Sequence, residues 1–221
     1  MLYDEKAVRE NLRSRREGRV FYLGTRDTLT PSARELLRRE GIPILPAEEA
    51  RPHRWQLSGG GYLEEKPEHM TCLVGDLLVE KIHPRIRFRG AIDTLEAELL
   101  LCGPETAPVL ELARRLIRCE VLDEPVGDVT LFGLNEAEQR RRSQLPQEYY
   151  GIPHFMPDYS DPEPVLRLNR CRCAARAAEL AACEAFRTPD GTLSREDIVK
   201  ALNRMSSMLY ILMLQHKAGR D

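Results

Sequence analysis

No run of apolar residues in this chain of 221 is long enough to span a bilayer, so a membrane-crossing helix is not expected. The first residues, MLYDEKAVRE, lack the apolar core of a secretory leader, and the expected location is the cytoplasm. Charge of one sign is also lacking. With 33 Lys and Arg against 35 Asp and Glu, the net charge of −2 supplies no broad field for nucleic acid or an anionic membrane. Any anion site must therefore be local. The basic run EQRRRSQ at 138–144 reads as a charged helix face, since no nucleic-acid module accompanies it.

Paired cysteines are missing too. Cys72, Cys102, Cys119, Cys171, Cys173 and Cys183 form no CxxC pair and no spaced framework, which argues against disulfides and cysteine-held metal. Cys171 and Cys173, two apart on a predicted helix, point about 200° away from each other and cannot grip one ion. Reduced, mostly buried thiols are expected. Gly59, Gly60 and Gly61 are followed by no Gly-Lys-Ser/Thr, so they are no phosphate loop. Glu80 and His83 form a lone ExxH against Pro84, whereas a di-iron bundle needs two such motifs on facing helices.

What is present is 42% apolar residues, enough for a real core. Residues 20–23 read as a short strand. LTPSARELLRREGIPI follows as a helix with Thr30 at the N-cap, Pro31 at the first position and Gly41 at the stop. Residues 46–67 have no apolar period and read as a linker. TCLVGDLLVEK fits either a hairpin turning at Gly75 and Asp76 or part of a helix.

Beyond it, helical signals dominate. One helix is expected from Pro84 to Gly103 with Ile92, Leu95 and Leu99 inward, and another over 106–122 with Leu110, Ala113 and Ile117 inward. Asn135 with Glu138 makes a capping box. Asp161-Pro162 starts a long alanine-rich helix. Ser194 with Asp197 starts the last, with Ala201, Met205, Met208, Leu209 and Leu212 inward. The fold expected is all-α: an antiparallel helical bundle over 69–221, with a small N-terminal α/β segment and flexible linker over 1–68.

Three constellations carry chemistry. In RCRCAARAAE, Arg172, Arg176 and Glu179 fall on one helical stripe, which faces either water, as an ordinary ion pair, or a ligand. Asn203 is a poor mid-helix residue, either exposed or hydrogen-bonded to something specific. EKIHPRIRFRGAID places Lys81, Arg85, Arg87 and Arg89 ahead of Asp93; a semi-buried aspartate needs a cation, and Arg172 would serve.

Taken in order, these segments resemble the ATP:cob(I)alamin adenosyltransferases. KIHPRIRFRGAIDTLE is similar to that family's Lys…Pro-Arg…Gly…Asp-x-Leu segment, with Lys81, Arg85, Gly90, Asp93 and Leu95 in register. HFMPDYSDPEPVLRLNRCRCAARAAE resembles its apolar-Pro loop followed by Arg-x-x-x-Arg-x-x-Glu, and ALNRMSSMLY its closing Leu-Asn-Arg-Leu-Ser segment. LTPSARELL and GLNEAE are closer to the ethanolamine-utilisation branch than to the propanediol-utilisation type. The glycine- and threonine-rich ATP loop of the latter is absent. Many ethanolamine-type members carry a His followed by Cys-Cys-x-x-Cys; here that region offers His53, His69 and a single Cys72, so no protein-held metal cluster is expected.

The resemblance implies attack of a cobalt(I) corrinoid on the 5′ carbon of ATP, giving adenosylcobalamin and a polyphosphate for a B12-dependent enzyme such as ethanolamine ammonia-lyase. Cobalt(I) is itself the nucleophile, so no Ser-His-Asp machinery is required; the protein supplies positioning and positive charge. The implied catalytic residues are Arg176, Glu179 and Asn203. Lys81, Arg85, Arg172, Arg176, Glu179 and Asn203 would bind ATP, with Mg²⁺ sharing the phosphate charge.

The resemblance implies that Asp93 and Arg172 form a structural pair, with a subunit boundary as one place for it, because family members are trimers with ATP at the interfaces. His154 and Phe155, before Pro157, are the candidates for displacing the lower corrinoid ligand, or simply pack the bundle. A reductase, the B12-dependent lyase and a bacterial microcompartment are the implied partners and setting. The rival reading is a catalytically silent corrinoid carrier or interaction bundle of such a compartment.

Overall fold

The computed structural model describes residues 1–14, 20–47 and 54–219. They divide into two compact units, Met1–Glu80 and Lys81–Asp221.

In the first unit the elements are β1 (Leu2–Tyr3), α1 (Glu5–Ser14), β2 (Phe21–Leu23), β3 (Thr28–Leu29), α2 (Pro31–Arg39) and β4 (Ile44–Pro46), then β5 (Trp55–Leu57), β6 (Tyr62–Leu63), β7 (Met70–Val74) and β8 (Leu77–Glu80). Thr30 caps α2 as expected, its Oγ1 accepting the Ala33 N–H at 3.2 Å, with Pro31 at the first position. Gly41 then reverses the chain at a φ of +66°, a conformation that costs a side chain.

The return strand β4 pairs parallel with β2, Phe21 opposite Ile44, and β1 pairs parallel with β3. A small core of Val8, Phe21, Ala33, Leu36, Leu37 and Ile42 results, with Tyr3 edge-on to Phe21 at 5.4 Å. The ambiguous stretch before Lys81 is the hairpin, not the helix: β7 and β8 are antiparallel around Gly75-Asp76, with Gly75 at a φ of +58°. The stretch expected as a linker contains β5 and β6. β5 lies between β6 and β8 in a four-stranded sheet ordered β6-β5-β8-β7. A three-residue strand has no periodicity to show; its pairing is supplied by β8, some twenty residues later.

In the second unit α3 (Pro84–Cys102), α4 (Ala107–Leu122), α5 (Glu136–Gln144), α6 (Pro146–Tyr150), α7 (Glu163–Phe186) and α8 (Glu196–Lys217) pack on one core. α7 lies against both α3 and α8. Phe88 of α3 meets Phe186 of α7 edge-on at 5.4 Å. On the α3–α7 seam, Arg87 pairs with Glu184 at 3.0 Å and Arg170 with Glu98 at 2.8 Å. The α5 capping box forms with both of its bonds, 3.0 and 2.9 Å.

Two local expectations are corrected. On α4 the buried ridge is Val109, Leu112, Ala113, Leu116, Cys119 and Glu120, while Leu110 and Ile117 are only partly buried flanks. The phase is turned because a carboxylate, Glu120, belongs inside. Ser194 does not cap α8: its hydroxyl donates back to the Phe186 carbonyl at 3.1 Å, closing the connection from α7. The α8 start is held instead by Arg195, which donates to the Cys119 and Glu124 carbonyls at the end of α4 and to Asp197. Asp197 in turn accepts the Val126 N–H at 3.0 Å. Burial acts to raise the Asp197 pKa, but the Arg195 fork and the Val126 N–H outweigh it and hold the carboxyl below its ordinary value of 3.8.

Candidate functional site

The α7–α8 seam carries the stripe. Glu179 accepts a hydrogen bond from the Asn203 side-chain amide at 2.9 Å. Seven residues away along each helix, about 10 Å by helical rise, Arg172 of α7 lies over the ring of Tyr210 of α8, 5.4 Å from its centroid. Arg176 falls between these two contacts. It is exposed and makes no hydrogen bond or ion pair among the described residues.

Asn203 is thus neither idle nor merely exposed. Its amide nitrogen reaches Glu179, and its oxygen accepts from the Arg204 guanidinium. One amide N–H and one lone pair remain for a ligand. Arg204, which the sequence reading passed over, also donates to the Glu136 carbonyl at 3.4 Å. Burial, with Arg140 nearby, lowers its pKa, and its Nε is buried without a partner. Its signal in the sequence is its place beside Asn203, on the Arg of the Leu-Asn-Arg-Leu-Ser segment that ALNRMSSMLY resembles.

The loop after α6 brings the other two candidates to the same seam. The His154 ring stacks on Tyr210, centroids 5.8 Å apart and planes 9° from parallel. Its Nδ1 is 3.3 Å from the Tyr210 hydroxyl and its Nε2 is 3.2 Å from the Gln144 carbonyl. Phe155 stacks on Tyr210 at 5.8 Å, with the Lys217 ammonium 4.5 Å from its centroid on α8. Both side chains are therefore engaged with α8 in the single chain. The freely exposed apolar groups of this loop are Met156 and Tyr159, 90% and 94% exposed.

Two expected site residues are placed away from the stripe in the single chain. Arg85 is turned onto α4, where its Nε and one terminal nitrogen donate to the Glu120 carboxylate and carbonyl, the latter at 3.0 Å. Arg89 donates to the other carboxylate oxygen at 2.8 Å. Glu120 is 1% exposed, so the two guanidiniums supply the charge that its burial requires. Burial, reinforced by Arg85 and Arg89, also lowers the pKa of neighbouring His83. Asp93, expected to be buried against Arg172, is exposed on α3 and forms no ion pair with Arg172 within the chain. With Ile92 and Leu95 facing the core, Asp93 is rotated to the outer flank.

Lys81 is exposed in the turn before α3, not drawn to the stripe by any contact among the described residues. His69 is exposed and Cys72 half-buried on β7, while His53 lies outside the described residues. Among those residues, no three His, Cys, Asp or Glu side chains gather as a metal-holding group. The Cys171 thiol is pushed up to about 12 by burial, with Cys102 adding to the effect, so it is a core group rather than a nucleophile. Two surface concavities, of about 440 and 450 Å³, are lined by other residues: one by Asn135 and Glu136, the other at the end of α7 by Cys183 and Arg187. Among the described residues, no helix is long and apolar enough to cross a membrane.

What the geometry can do is hold an anion. A stripe with an unpaired Arg176, an oriented carboxylate and a half-used amide suits a phosphorylated ligand. Comparison with known proteins specifies the setting. The family model described as cobalamin adenosyltransferase matches residues 61–216, a span that includes every candidate site residue. The corrinoid adenosyltransferase EutT of Salmonella typhimurium (strain LT2) is 31% identical, the match covering 90% of this chain and 86% of that protein. The protein of the same name from Escherichia coli (strain K12) is 28% identical over the same shares. No solved structure matches the chain.

Proposed function

The chain belongs to the cobalamin adenosyltransferase family, and from that premise we propose that it is an ATP:corrinoid adenosyltransferase. It transfers the 5′-deoxyadenosyl group of ATP to cob(I)alamin, forming adenosylcobalamin for a B12-dependent enzyme such as ethanolamine ammonia-lyase. The cobalt(I) electron pair forms the bond to C5′ as the C5′–O bond breaks and the polyphosphate leaves. The observation that carries the reading is Arg176, an outward guanidinium with no internal acid, placed between Glu179–Asn203 and Arg172–Tyr210. Charge accumulates on the leaving phosphates, and a guanidinium that closes on them there stabilises the transition state more than the ground state.

We assign Arg176 and Arg172 to the phosphates, Glu179 to orienting Asn203 and the nucleotide, and Lys81 to a phosphate as a point charge. Arg85, committed to Glu120, sets the α3 start. Mg²⁺ enters on the ATP phosphates, consistent with its habit of binding through phosphate and water rather than a protein cage. The rival silent bundle is not favoured, since a scaffold has no use for an unpaired arginine beside an oriented carboxylate.

We further infer an antiparallel helical bundle. Arg87–Glu184 and Arg170–Glu98 tie opposite ends of α3 and α7, and Glu179–Asn203 with Arg172–Tyr210 keep a reversed register on α7 and α8. The working form is a homotrimer. The stripe is an open surface in one chain, and transfer to carbon needs water excluded, so a second copy closes it and brings Asp93 to Arg172. Cytoplasmic activity beside a reductase and the B12-dependent lyase, in or near a microcompartment, completes the reading. Anaerobic mixing of the protein with chemically reduced cobalamin, ATP and Mg²⁺ tests it: the visible spectrum should become that of adenosylcobalamin, and a spectrum that merely reverts to oxidised cobalamin would refute the function.

A further inference from the structure

One side chain touches both halves of the proposed site. Tyr210 is 8% exposed. Arg172 of the stripe lies over its ring, and His154 and Phe155 of the loop stack on it. Its hydroxyl is committed as well, accepting the Phe155 backbone N–H at 3.3 Å and meeting His154 Nδ1 at 3.3 Å.

The hydrogen-bond roles follow by elimination. The Gln144 carbonyl can only accept, so His154 Nε2 carries the proton. In the neutral ring Nδ1 is then an acceptor, and it takes the hydroxyl proton of Tyr210. The result is a continuous chain from Phe155 N–H through Tyr210 O–H and His154 to the Gln144 carbonyl. A phenylalanine would pack as well, but only a hydroxyl can close this chain.

Side chains pack this loop, with Ile152 and Phe155 against the core and Lys217 paired with Asp161, but the main chain of its first half has a single tie. Across residues 152–157, the only main-chain hydrogen bond among the described residues is the one from Phe155 to Tyr210.

We propose that Tyr210 is a positioning residue for adenosyl transfer: it sets the 151–161 loop against Arg172, so that a corrinoid under the loop meets the nucleotide on the stripe. This rests on the adenosyltransferase reading above. Without the hydroxyl the loop keeps its stacking but loses its register, and the corrinoid pays for re-ordering the loop each time it binds.

Wild type is assayed first, because absence of adenosylcobalamin there overturns the function itself and this inference with it. Given an active wild type, Tyr210→Phe should raise KM for cob(I)alamin about tenfold, the worth of one to two lost hydrogen bonds. KM for ATP should stay within about twofold. Hydrogen exchange at the Phe155 amide should quicken in the same variant. If Tyr210→Phe fails to fold, His154→Ala breaks the chain from the exposed side and should reproduce the same split between the two KM values. Unchanged KM for cob(I)alamin in either folded variant, or equal losses toward both substrates, would overturn the proposal.

Discussion

Helices α3 and α7 of the second unit each carry a pair of arginines four residues apart, Arg85 and Arg89 on α3 and Arg172 and Arg176 on α7. Their sequences alone make them equivalent. The fold does not. Arg85 and Arg89 close on Glu120, a carboxylate buried on α4, and are spent on holding two helices together. Arg172 lies on a tyrosine, and Arg176 makes no hydrogen bond or ion pair among the described residues. We read an arginine whose counter-charge is internal as structural, and one placed beside an oriented carboxylate and amide, with no counter-charge of its own, as available for a ligand.

The sharpest test of that contrast is Arg176→Ala. Turnover should fall at least about a hundredfold, the loss typical of removing one donor to developing charge. Thermal stability should stay within about 0.5 kcal/mol of wild type; near-normal turnover at saturating ATP would break the comparison on its catalytic side. Glu120→Ala is the converse. It strands two partly buried guanidiniums, and chemical denaturation should show a loss of about 3 kcal/mol, at the low end for a broken buried pair because both arginines keep some solvent. A loss under about 1 kcal/mol would show that the cluster holds little.

Smaller effects sharpen the rest. Asp93→Asn should change the stability of the dissociated chain by no more than about 0.5 kcal/mol, because Asp93 is exposed there, yet weaken assembly measured by sedimentation. Unaltered assembly would remove the proposed pairing with Arg172 of another copy. Asp197 gives the smallest signal. Its folded pKa is depressed below 3.8, so its contribution is complete above the unfolded value and is lost as pH falls through the folded one. Asp197→Asn should therefore cost stability at pH 6 but little at pH 2, and an equal cost at both would contradict the Arg195–Asp197 account.

Legibility in the sequence followed the range of the interaction concerned. The Thr30-Pro31 start of α2 and the Asn135–Glu138 box are settled within four residues and form as expected, while at Gly75-Asp76 the sequence allows hairpin or helix and the hairpin forms. The inward ridge of α4 was read a step off because Glu120 is stabilised by Arg85 and Arg89, more than thirty residues away, and no local pattern can announce a buried acid. β5 was missed for the same reason. In the site, Arg172, Arg176, Glu179 and Asn203 could be singled out by spacing and resemblance. Arg204 and Tyr210 lie in the same ALNRMSSMLY segment, but the contacts they make are not legible there, because those appear only when α5, α8 and the loop come together.

The central claim is that the outward arginine stripe serves adenosyl transfer, and its most direct test follows the transferred carbon itself. ATP labelled at C5′ is incubated anaerobically with cob(I)alamin and either wild type or Arg176→Ala, and the corrinoid is separated in the dark. The account predicts label on the corrinoid with wild type, one deoxyadenosyl per cobalamin, and almost none with Arg176→Ala at equal protein stability. Label remaining wholly in nucleotide with wild type, or passing equally to the corrinoid with both proteins, would contradict it.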